Sequence, residues 1–165
     1  MALEIERRFL IKNDSWKEFI TKKISIEQGY LSNSLDDWII RIRFTDNDFK
    51  IALKKHIERF TSFEFEYSIP RKDGETIMSN LSNTIKKDRF FLKVEKKIWI
   101  VDCFKENNYP LEIAETELSK EEEDLSLPPF ISKEITGLSY YSNFSLSKNP
   151  FSKWKEDYLT TFKSN

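Results

Sequence analysis

Residues 38–69 read WIIRIRFTDNDFKIALKKHIERFTSFEFEYSI. Within this stretch, segments 38–45, 49–57 and 61–69 alternate between apolar and polar residues, and a period of two is typical of a strand with two different faces. The connections between these segments are short, which favours antiparallel pairing of neighbouring strands. The stretch therefore predicts three consecutive strands of an antiparallel sheet.

The same alternation recurs along most of the chain. It predicts further strands at residues 2–12, 25–33, 87–95, 98–104 and 111–118. About eight strands is a number at which a sheet closes into a barrel and removes both of its exposed edges. We therefore predict a mainly β (α+β) fold in a single domain, residues 1–165: a closed eight-stranded antiparallel β-barrel with flanking helices.

Helical spacing occurs between these strands and at the end of the chain. It predicts outer helices at residues 16–22 and 75–85, a short helix from Glu121, and a last helix at residues 151–162. Ser119 and Glu122 have the spacing of a capping box, in which a hydroxyl and a carboxylate each satisfy an unpaired amide. These helices would cover the outer face of the barrel.

Composition narrows the range of functions. The 27 basic side chains nearly cancel the 28 acidic ones, so no net field attracts nucleic acid or an anionic membrane surface. The single Cys103 and the single His56 offer no cluster for zinc, so a metal site would use carboxylate oxygens, which select hard ions. The charged N-terminus and the lack of a long apolar segment predict a soluble, cytoplasmic protein.

Like-charged pairs separated by one residue are informative, because positions i and i+2 of a strand point to the same face. Four pairs and three single basic residues occur in such contexts: Glu4 and Glu6 (continued by Arg8), Arg41 and Arg43, Glu64 and Glu66, Glu115 and Glu117, then Lys54, Lys87 and Arg89. One pair alone is best interpreted as a solvated face. Four pairs, each of one sign, favour a concave site that needs both signs, since plain surfaces usually intersperse them.

The chemistry of these side chains points to a phosphate ligand. Paired carboxylates can share a divalent cation, and paired guanidinium groups can bind phosphate oxygens in a bidentate manner. No glycine-rich loop of the GxxxxGK[ST] or GxGxxG type occurs, so side chains rather than backbone amides would bind the phosphates. The charge pattern therefore predicts a site for a multiply charged phosphate chain and its metal ions.

A series of motifs in chain order resembles one known family. They are LEIERRFL (3–10), QGYL (28–31), RIR (41–43), FEFEYSIP (63–70), IKKDRF (85–90), WIVDCF (99–104), IAETEL (113–118), LPPFISKEITG (127–137) and KNPFSKW (148–154). LEIERRFL resembles the ExExK signature of the CYTH superfamily, the triphosphate tunnel metalloenzymes. The whole set looks most like the short bacterial inorganic triphosphatases of that superfamily.

The resemblance implies an eight-stranded tunnel in which Mg²⁺ or Mn²⁺ assists the hydrolysis of inorganic triphosphate (tripolyphosphate) to pyrophosphate and phosphate. The implied roles are metal binding by Glu4, Glu6 and Glu117, catalysis by Glu64, Glu66, Glu115 and Tyr30, and phosphate binding by Arg8, Arg41, Arg43, Lys54, Lys87 and Arg89. Asp102 would hold one of the basic groups in place. A homodimer would suit so small an enzyme.

Two positions depart from the family pattern. Arg8 stands where the family usually has lysine, and an arginine cannot give up its proton; Tyr30 matches the tyrosine that works with that lysine. Ser145 matches the place of a usual asparagine. The alternatives are a nucleoside triphosphatase or adenylyl cyclase of the same superfamily and, in a different class, a sensor that binds a triphosphate or nucleotide without turnover, which the arginine supports.

Overall fold

The computed structural model describes residues 3–35 and 37–156. Its strands and α-helices are β1 Leu3–Ile11, β2 Ile20–Tyr30, β3 Ile39–Thr45, β4 Asp48–Glu58, β5 Thr61–Ile69, α1 Arg71–Ser79, β6 Thr84–Val94, β7 Lys97–Phe104, β8 Glu112–Glu117, β9 Ile131–Glu134 and α2 Asn143–Lys148. Short 3₁₀ helices lie at Asp14–Phe19, Glu106–Asn108, Ser139–Tyr141 and Phe151–Lys153. Within these ranges no helix has the length and apolar character needed to cross a membrane.

Eight antiparallel strands close into a barrel in the order β5-β4-β3-β2-β6-β7-β8-β1, because β1 also pairs with β5. One edge of β1 pairs with β8, from Glu6 opposite Glu117 to Leu10 opposite Ile113. The other edge is shared, since residues 3–5 pair with β5 and residues 9–11 pair with β9. The predicted eight-stranded barrel is therefore confirmed, and β9 is an additional strand attached to it.

The side chains on the inner face of β1 change character along the strand. Glu4, Glu6 and Arg8 are followed at the next inward position by Leu10, which belongs to a buried apolar cluster. The other buried members of this cluster are Ile85, Phe104, Leu111, Ile113, Ile135, Tyr141, Leu146 and Phe151. They come from the ends of several strands and from the chain after β9, so apolar packing fills this end of the barrel beside the charged positions.

A second apolar cluster covers the outer face of the barrel. Phe9, which alternates with the inward residues of β1, packs against Trp99 with ring centroids 5.7 Å apart. Trp16 from the first 3₁₀ helix lies 5.1 Å from Phe90, and Phe130 packs on Trp99. The first 3₁₀ helix and the segment before β9 therefore provide the outer cover that predicted helices were expected to give.

Two glycines allow close packing of α1 and the segment after it against the barrel. A Cβ atom at Gly74 would lie 2.2 Å from the Phe49 ring, and one at Gly29 would lie 2.6 Å from Leu81. Both distances are far below van der Waals contact, so any larger residue would push α1 or Leu81 away from β2 and β4.

Two predicted helices are displaced. Residues 16–22 were expected to be helical, but the 3₁₀ helix ends at Phe19 and Ile20 begins β2 opposite Leu92. The helix predicted at 75–85 lies at Arg71–Ser79 instead, because β6 starts at Thr84. In both cases pairing between β2 and β6 takes residues that have helical spacing.

The predicted helix from Glu121 is wrong, and so is the capping box. Glu121 accepts a hydrogen bond from the Thr61 hydroxyl at 2.5 Å, and Glu123, not Glu122, accepts from the amide and hydroxyl of Ser119. Of the helix predicted at 151–162, the structure has a 3₁₀ helix at Phe151–Lys153, and residues 157–162 lie outside the described residues. Neither β9 nor α2 was predicted.

Candidate functional site

A cavity of about 700 Å³ lies inside the barrel. All the predicted site residues except Glu66 and Lys87 line it: Glu4, Glu6, Arg8, Tyr30, Arg41, Arg43, Lys54, Glu64, Arg89, Glu115 and Glu117. The strand period explains this gathering, because alternate residues of every strand point into a barrel. The like-charged pairs, apart from Glu66, thus face one cavity rather than an outer surface.

Three carboxylates of this cavity converge on one ammonium group. Lys54 Nζ lies 2.7 Å from Glu4 Oε2, 3.4 Å from Glu6 Oε1 and 3.4 Å from Glu64 Oε2. Register brings them together, since Lys54 on β4 is opposite Glu64 on β5, and β1 closes on the other edge of β5. This part of the cavity is an acidic pocket around a single cation.

The closeness of these acids and Lys54 also determines which of the carboxylates carry a proton. Burial is the largest influence on Glu4 and raises its pKa to about 7, against the pull of Lys54. Burial also opposes ionisation of Glu64, but the positive charges of Arg41 and Lys54 outweigh it and lower the pKa of Glu64 to about 2. Burial likewise opposes ionisation of Glu6, but Lys54 and Arg8 lower its pKa. Near neutral pH two carboxylates of the pocket, Glu6 and Glu64, therefore stay ionised, and Glu4 exchanges a proton.

Arginines form the next part of the wall. Arg41 Nη2 donates to Glu64 at 2.8 Å and to Glu66 at 3.1 Å. Glu66 is exposed, bonds Lys50 at 3.0 Å, and lies outside the cavity. Burial, together with the charges of Arg41 and Arg89, lowers the pKa of Arg43 to about 10, so its guanidinium group stays charged at neutral pH.

Arg89 reaches the cavity from β6 and is held by two acids. Asp102 accepts from its Nε and Nη2 at 2.8 Å each, and Glu115 accepts from Nη2 at 2.8 Å. Lys87, two residues earlier, is fully buried and donates to Asp102 at 2.5 Å and to Asn143 at 3.0 Å. Lys87 therefore lies behind the wall, where it contacts Asp102, one of the two acids that hold Arg89.

Arg8 occupies the last position of the ExExK-like motif. Its Nη1 donates to the carbonyl oxygen of Tyr141 at 3.2 Å, and its Nε lies 3.7 Å from Glu115. The neighbouring segment also contacts its backbone, since the amide of Arg8 donates to the Thr136 hydroxyl. The Arg8 side chain therefore contacts Tyr141, which follows β9, and Glu115 on β8.

Sequence reasoning missed two polar residues of the site. Gln28 is fully buried and bonds both Arg43 and Tyr30, and Asn143 lines the cavity and accepts from Lys87. Strand alternation could have revealed Gln28, because it lies two residues before Tyr30 on β2. Asn143 had no such signal. Ser145, which sequence comparison with the family pointed to, instead donates its backbone amide to the side chain of Ser142, the N-cap of α2.

The acids of the cavity suit a hard cation by their chemistry. Glu4, Glu6 and Glu64 already converge on one positive charge, the Lys54 ammonium, which stands in for such a cation. Within residues 3–35 and 37–156, no three acidic, histidine or cysteine side chains are set at the spacing of metal ligands. Glu117 is exposed, and its backbone pairs with Glu6. A metal ion bound by Glu4 and Glu6 would therefore have to displace the Lys54 ammonium group from these carboxylates.

No protein-family model matches the chain. The chain is similar to the inorganic triphosphatase of Acetivibrio thermocellus, with 32% identity over 158 residues that cover 94% of this chain and 100% of that protein. It is also similar to the crystal structure of the inorganic triphosphatase NE1496, with a TM-score of 0.66 and 25% identity over 89% of this chain and 95% of that one. HpAC1 from Hippeastrum, which has a dominant triphosphatase activity, shares the fold, with a TM-score of 0.55 and 17% identity over 74% and 81% of the two chains.

The sequence similarity spans the whole relative from A. thermocellus, and it coincides with the ordered motifs and with a barrel that places their charges in one cavity. The similarity to NE1496 extends over nearly all of both chains. The chain therefore belongs to the CYTH superfamily of triphosphate tunnel metalloenzymes, in its group of inorganic triphosphatases.

Proposed function

We propose that this chain hydrolyses inorganic triphosphate to pyrophosphate and phosphate inside the barrel. The observation that carries the proposal is spare hydrogen-bonding capacity on guanidinium groups of the cavity wall. Arg8 Nη2 and Arg41 Nε are buried, and neither has a hydrogen-bond partner in the part of the chain that the structure describes. A buried donor without a partner costs about 1–3 kcal/mol, so an anion that accepts these bonds would recover that cost.

A triphosphate is the anion that fits the distribution of charge. Five of the predicted phosphate-binding residues reach the cavity from four strands, with Arg8 on β1, Lys54 on β4, Arg89 on β6, and Arg41 and Arg43 on β3. A single phosphate could contact few of them at once, whereas a chain of three offers oxygens along its length. The relative from A. thermocellus and NE1496 are inorganic triphosphatases, which supports this choice.

Catalysis in such a site would rest on positioning and charge neutralisation. Water attacks the terminal phosphorus, the bond to the bridging oxygen breaks, and pyrophosphate leaves. Arg41, Arg43 and Arg89 would stabilise charge on the transferred and leaving phosphates. The proton of the water passes to a carboxylate, and of the three acids assigned to catalysis Glu64 and Glu115 line the cavity whereas Glu66 does not.

Glu4 and Glu6 would hold a divalent cation, with Glu64 close to them and Glu117 on the paired strand. Such an ion, Mg²⁺ or Mn²⁺, supplies charge neutralisation and a lowered pKa for a bound water. Arg41 and Arg89 keep their charge whatever the metal, since, despite burial, acids beside them raise the pKa of both guanidinium groups.

A second candidate is the hydrolysis or cyclisation of an organic triphosphate, and the apolar part of the cavity favours it. Beside the charges, the wall contains Leu35, Ile39, Phe60, Phe91, Ile98, Ile100, Leu138 and Phe144. Inorganic triphosphate has no apolar part to place against these side chains, whereas a nucleoside or thiamine group has one. A non-catalytic sensor remains the third candidate, supported by Arg8 in the place of the usual lysine.

Phosphate release and triphosphate binding, measured side by side, separate the three candidates. Phosphate release is measured with tripolyphosphate, ATP, thiamine triphosphate and pyrophosphate, each with Mg²⁺ or Mn²⁺. The test variants are Glu4→Gln and Glu6→Gln, and Glu18→Gln, an exposed acid of the first 3₁₀ helix, is the matched control. Fast release from tripolyphosphate that only the first two variants abolish supports the proposal, faster turnover of ATP or thiamine triphosphate supports the second candidate, and tight binding without release supports the sensor.

A further inference from the structure

Gln28 connects a cation and a hydroxyl of the cavity. Its side chain is fully buried on β2, where Arg43 Nε donates to Gln28 Oε1 at 3.2 Å. Gln28 Nε2 in turn donates to the Tyr30 hydroxyl oxygen at 2.5 Å. Among residues 3–35 and 37–156, Gln28 is the one hydrogen-bond partner of the Tyr30 hydroxyl.

Chemistry fixes the direction of these bonds. A guanidinium group only donates hydrogen bonds, so the amide atom that faces Arg43 must be the oxygen. The amide nitrogen then faces Tyr30, and because an amide nitrogen only donates, the phenol oxygen must accept. The hydroxyl proton of Tyr30 consequently points away from Gln28.

The cavity offers that proton a direction in which to point. The Phe144 ring packs edge-on against the Tyr30 ring, with centroids 5.5 Å apart, and holds it in place. Tyr30 is 5% exposed, and it lines the same cavity as Arg8 and Arg41. Burial raises the pKa of Tyr30, so its hydroxyl group keeps the proton at neutral pH.

We propose that Gln28 is a positioning residue that keeps the Tyr30 hydroxyl as a hydrogen-bond donor directed into the cavity, toward an oxygen of the phosphate substrate. The inference rests on the proposed function for the identity of that acceptor. The guanidinium group of Arg43 fixes the orientation of the Gln28 amide, and the amide fixes the direction of the Tyr30 hydroxyl proton. The hydroxyl then donates to the substrate. Gln28 itself reaches neither the cavity nor the substrate, since it is buried behind the wall.

Two substitutions separate this role from simple packing. Gln28→Glu keeps the shape and the acceptor for Arg43, but its carboxylate would accept the Tyr30 proton and turn it away from the cavity. Gln28→Met also fills the space, yet it leaves that proton free. We expect Gln28→Glu to lower kcat about 10²-fold, as for loss of one directed donor, with a smaller change in KM, and Gln28→Met to lower kcat much less. A packing role would make Gln28→Met the worse variant and would overturn the proposal.

A double-mutant cycle with Tyr30→Phe tests whether Gln28 acts through the hydroxyl. Tyr30→Phe should lower kcat by a factor similar to that of Gln28→Glu, and the double variant should be no slower than Tyr30→Phe alone. Multiplying effects would show that the two side chains act independently and would contradict the proposal. Unfolding midpoints of all variants confirm that each is folded.

A readout that does not need turnover distinguishes failure of this inference from failure of the proposed function. Absorbance titration of the wild type against Tyr30→Phe isolates the ionisation of Tyr30. Gln28→Glu removes a hydrogen bond that stabilises the phenolate and adds a negative charge, so the Tyr30 pKa should rise further, whereas Gln28→Met should raise it less. If the protein does not hydrolyse tripolyphosphate, this order of pKa values still decides the inference, and an unchanged value in Gln28→Glu overturns it.

Discussion

Asp102 accepts two parallel hydrogen bonds from the guanidinium group of Arg89, through Nε and Nη2, each at 2.8 Å. The same buried carboxylate accepts from Lys87 Nζ. One acid on β7 therefore fixes a cation on the cavity wall and another behind it. The geometry is specific, because only arginine offers two parallel donors at this spacing.

We predict that Asp102→Asn destabilises the protein by about 3 kcal/mol, near the lower end of the range for breaking a buried ion pair. The lower end applies because Glu115 still pairs with Arg89 and Lys87 can release its proton. Urea unfolding measures the change. Asp14→Asn is the matched control, since Asp14 pairs with Lys17 at 2.7 Å on the surface, and its unfolding midpoint should not move. Equal stability of Asp102→Asn and wild type would contradict the prediction.

Lys87 should make stability depend on pH. Burial lowers its pKa to about 7 despite the attraction of Asp102, whereas an unfolded lysine keeps its proton to about pH 10.4. Between these values the unfolded state binds more protons, so the free energy of unfolding contributed by this group rises with pH and is lost again as pH falls toward 7.

The variant Lys87→Met isolates this contribution. The stability of wild type relative to Lys87→Met should increase between pH 7 and pH 9.5, measured by urea unfolding at constant ionic strength. Lys105→Met serves as the control, because Lys105 is an exposed lysine that pairs with Asp88. A difference between wild type and Lys87→Met that stays constant over this range would show that Lys87 remains charged when buried.

Strand alternation in the sequence predicted which charged residues point into the barrel, but it could not predict how deeply each side chain is buried. Glu4, Glu6 and Arg8 face the cavity because their period of two survives folding. Lys87 has the same period relative to Arg89, yet Asn143 from α2 lies against it. That contact joins residues far apart in the chain, and α2 gave no signal of its own, so the burial of Lys87 could be learned only from the structure.

Lys54 should compete with a metal ion for the acidic pocket. Its ammonium group lies among Glu4, Glu6 and Glu64, whose charges raise its pKa against the effect of burial. Lys54→Met removes that cation, so we expect Mn²⁺ to bind about tenfold or more tightly, as measured by electron paramagnetic resonance titration. Lys50→Met, which loses a cation bound to Glu66 outside the cavity, is the control. Weaker Mn²⁺ binding by Lys54→Met would mean that Lys54 organises the carboxylates instead of competing for them.

Gly74→Ala should weaken the attachment of α1. The new methyl group would lie 2.2 Å from Phe49, and overpacking of this kind typically costs about 1–3 kcal/mol. Thermal unfolding measures the loss. Lys72→Ala is the control, because Lys72 is an exposed residue of the same helix, and its midpoint should stay near that of wild type. A Gly74→Ala protein as stable as the control would show that Phe49 can move aside.

The elements that sequence reasoning placed wrongly share a physical cause. Trp16, Phe19 and Ile20 have helical spacing, but β6 offers Ile20 a ladder partner in Leu92, and pairing with it outweighs the local preference. β9 has only four residues and pairs with the part of β1 that β5 leaves free. A strand so short has no readable period, and its existence depends on the closure of the barrel.

The double use of one edge of β1 has a consequence for synthesis of the chain. β1 leaves the ribosome before its partners, since β8 and β9 begin only at Glu112 and Ile131. Until β5 is synthesised, β1 has no partner on either edge, and the edge that pairs with β8 stays free for longer. An unpaired strand is a template for aggregation. The unpaired strand contains the charged residues Glu4, Glu6, Arg7 and Arg8, and charges of this kind oppose aggregation. The residues that equip the cavity thus also protect the nascent chain before a cavity exists.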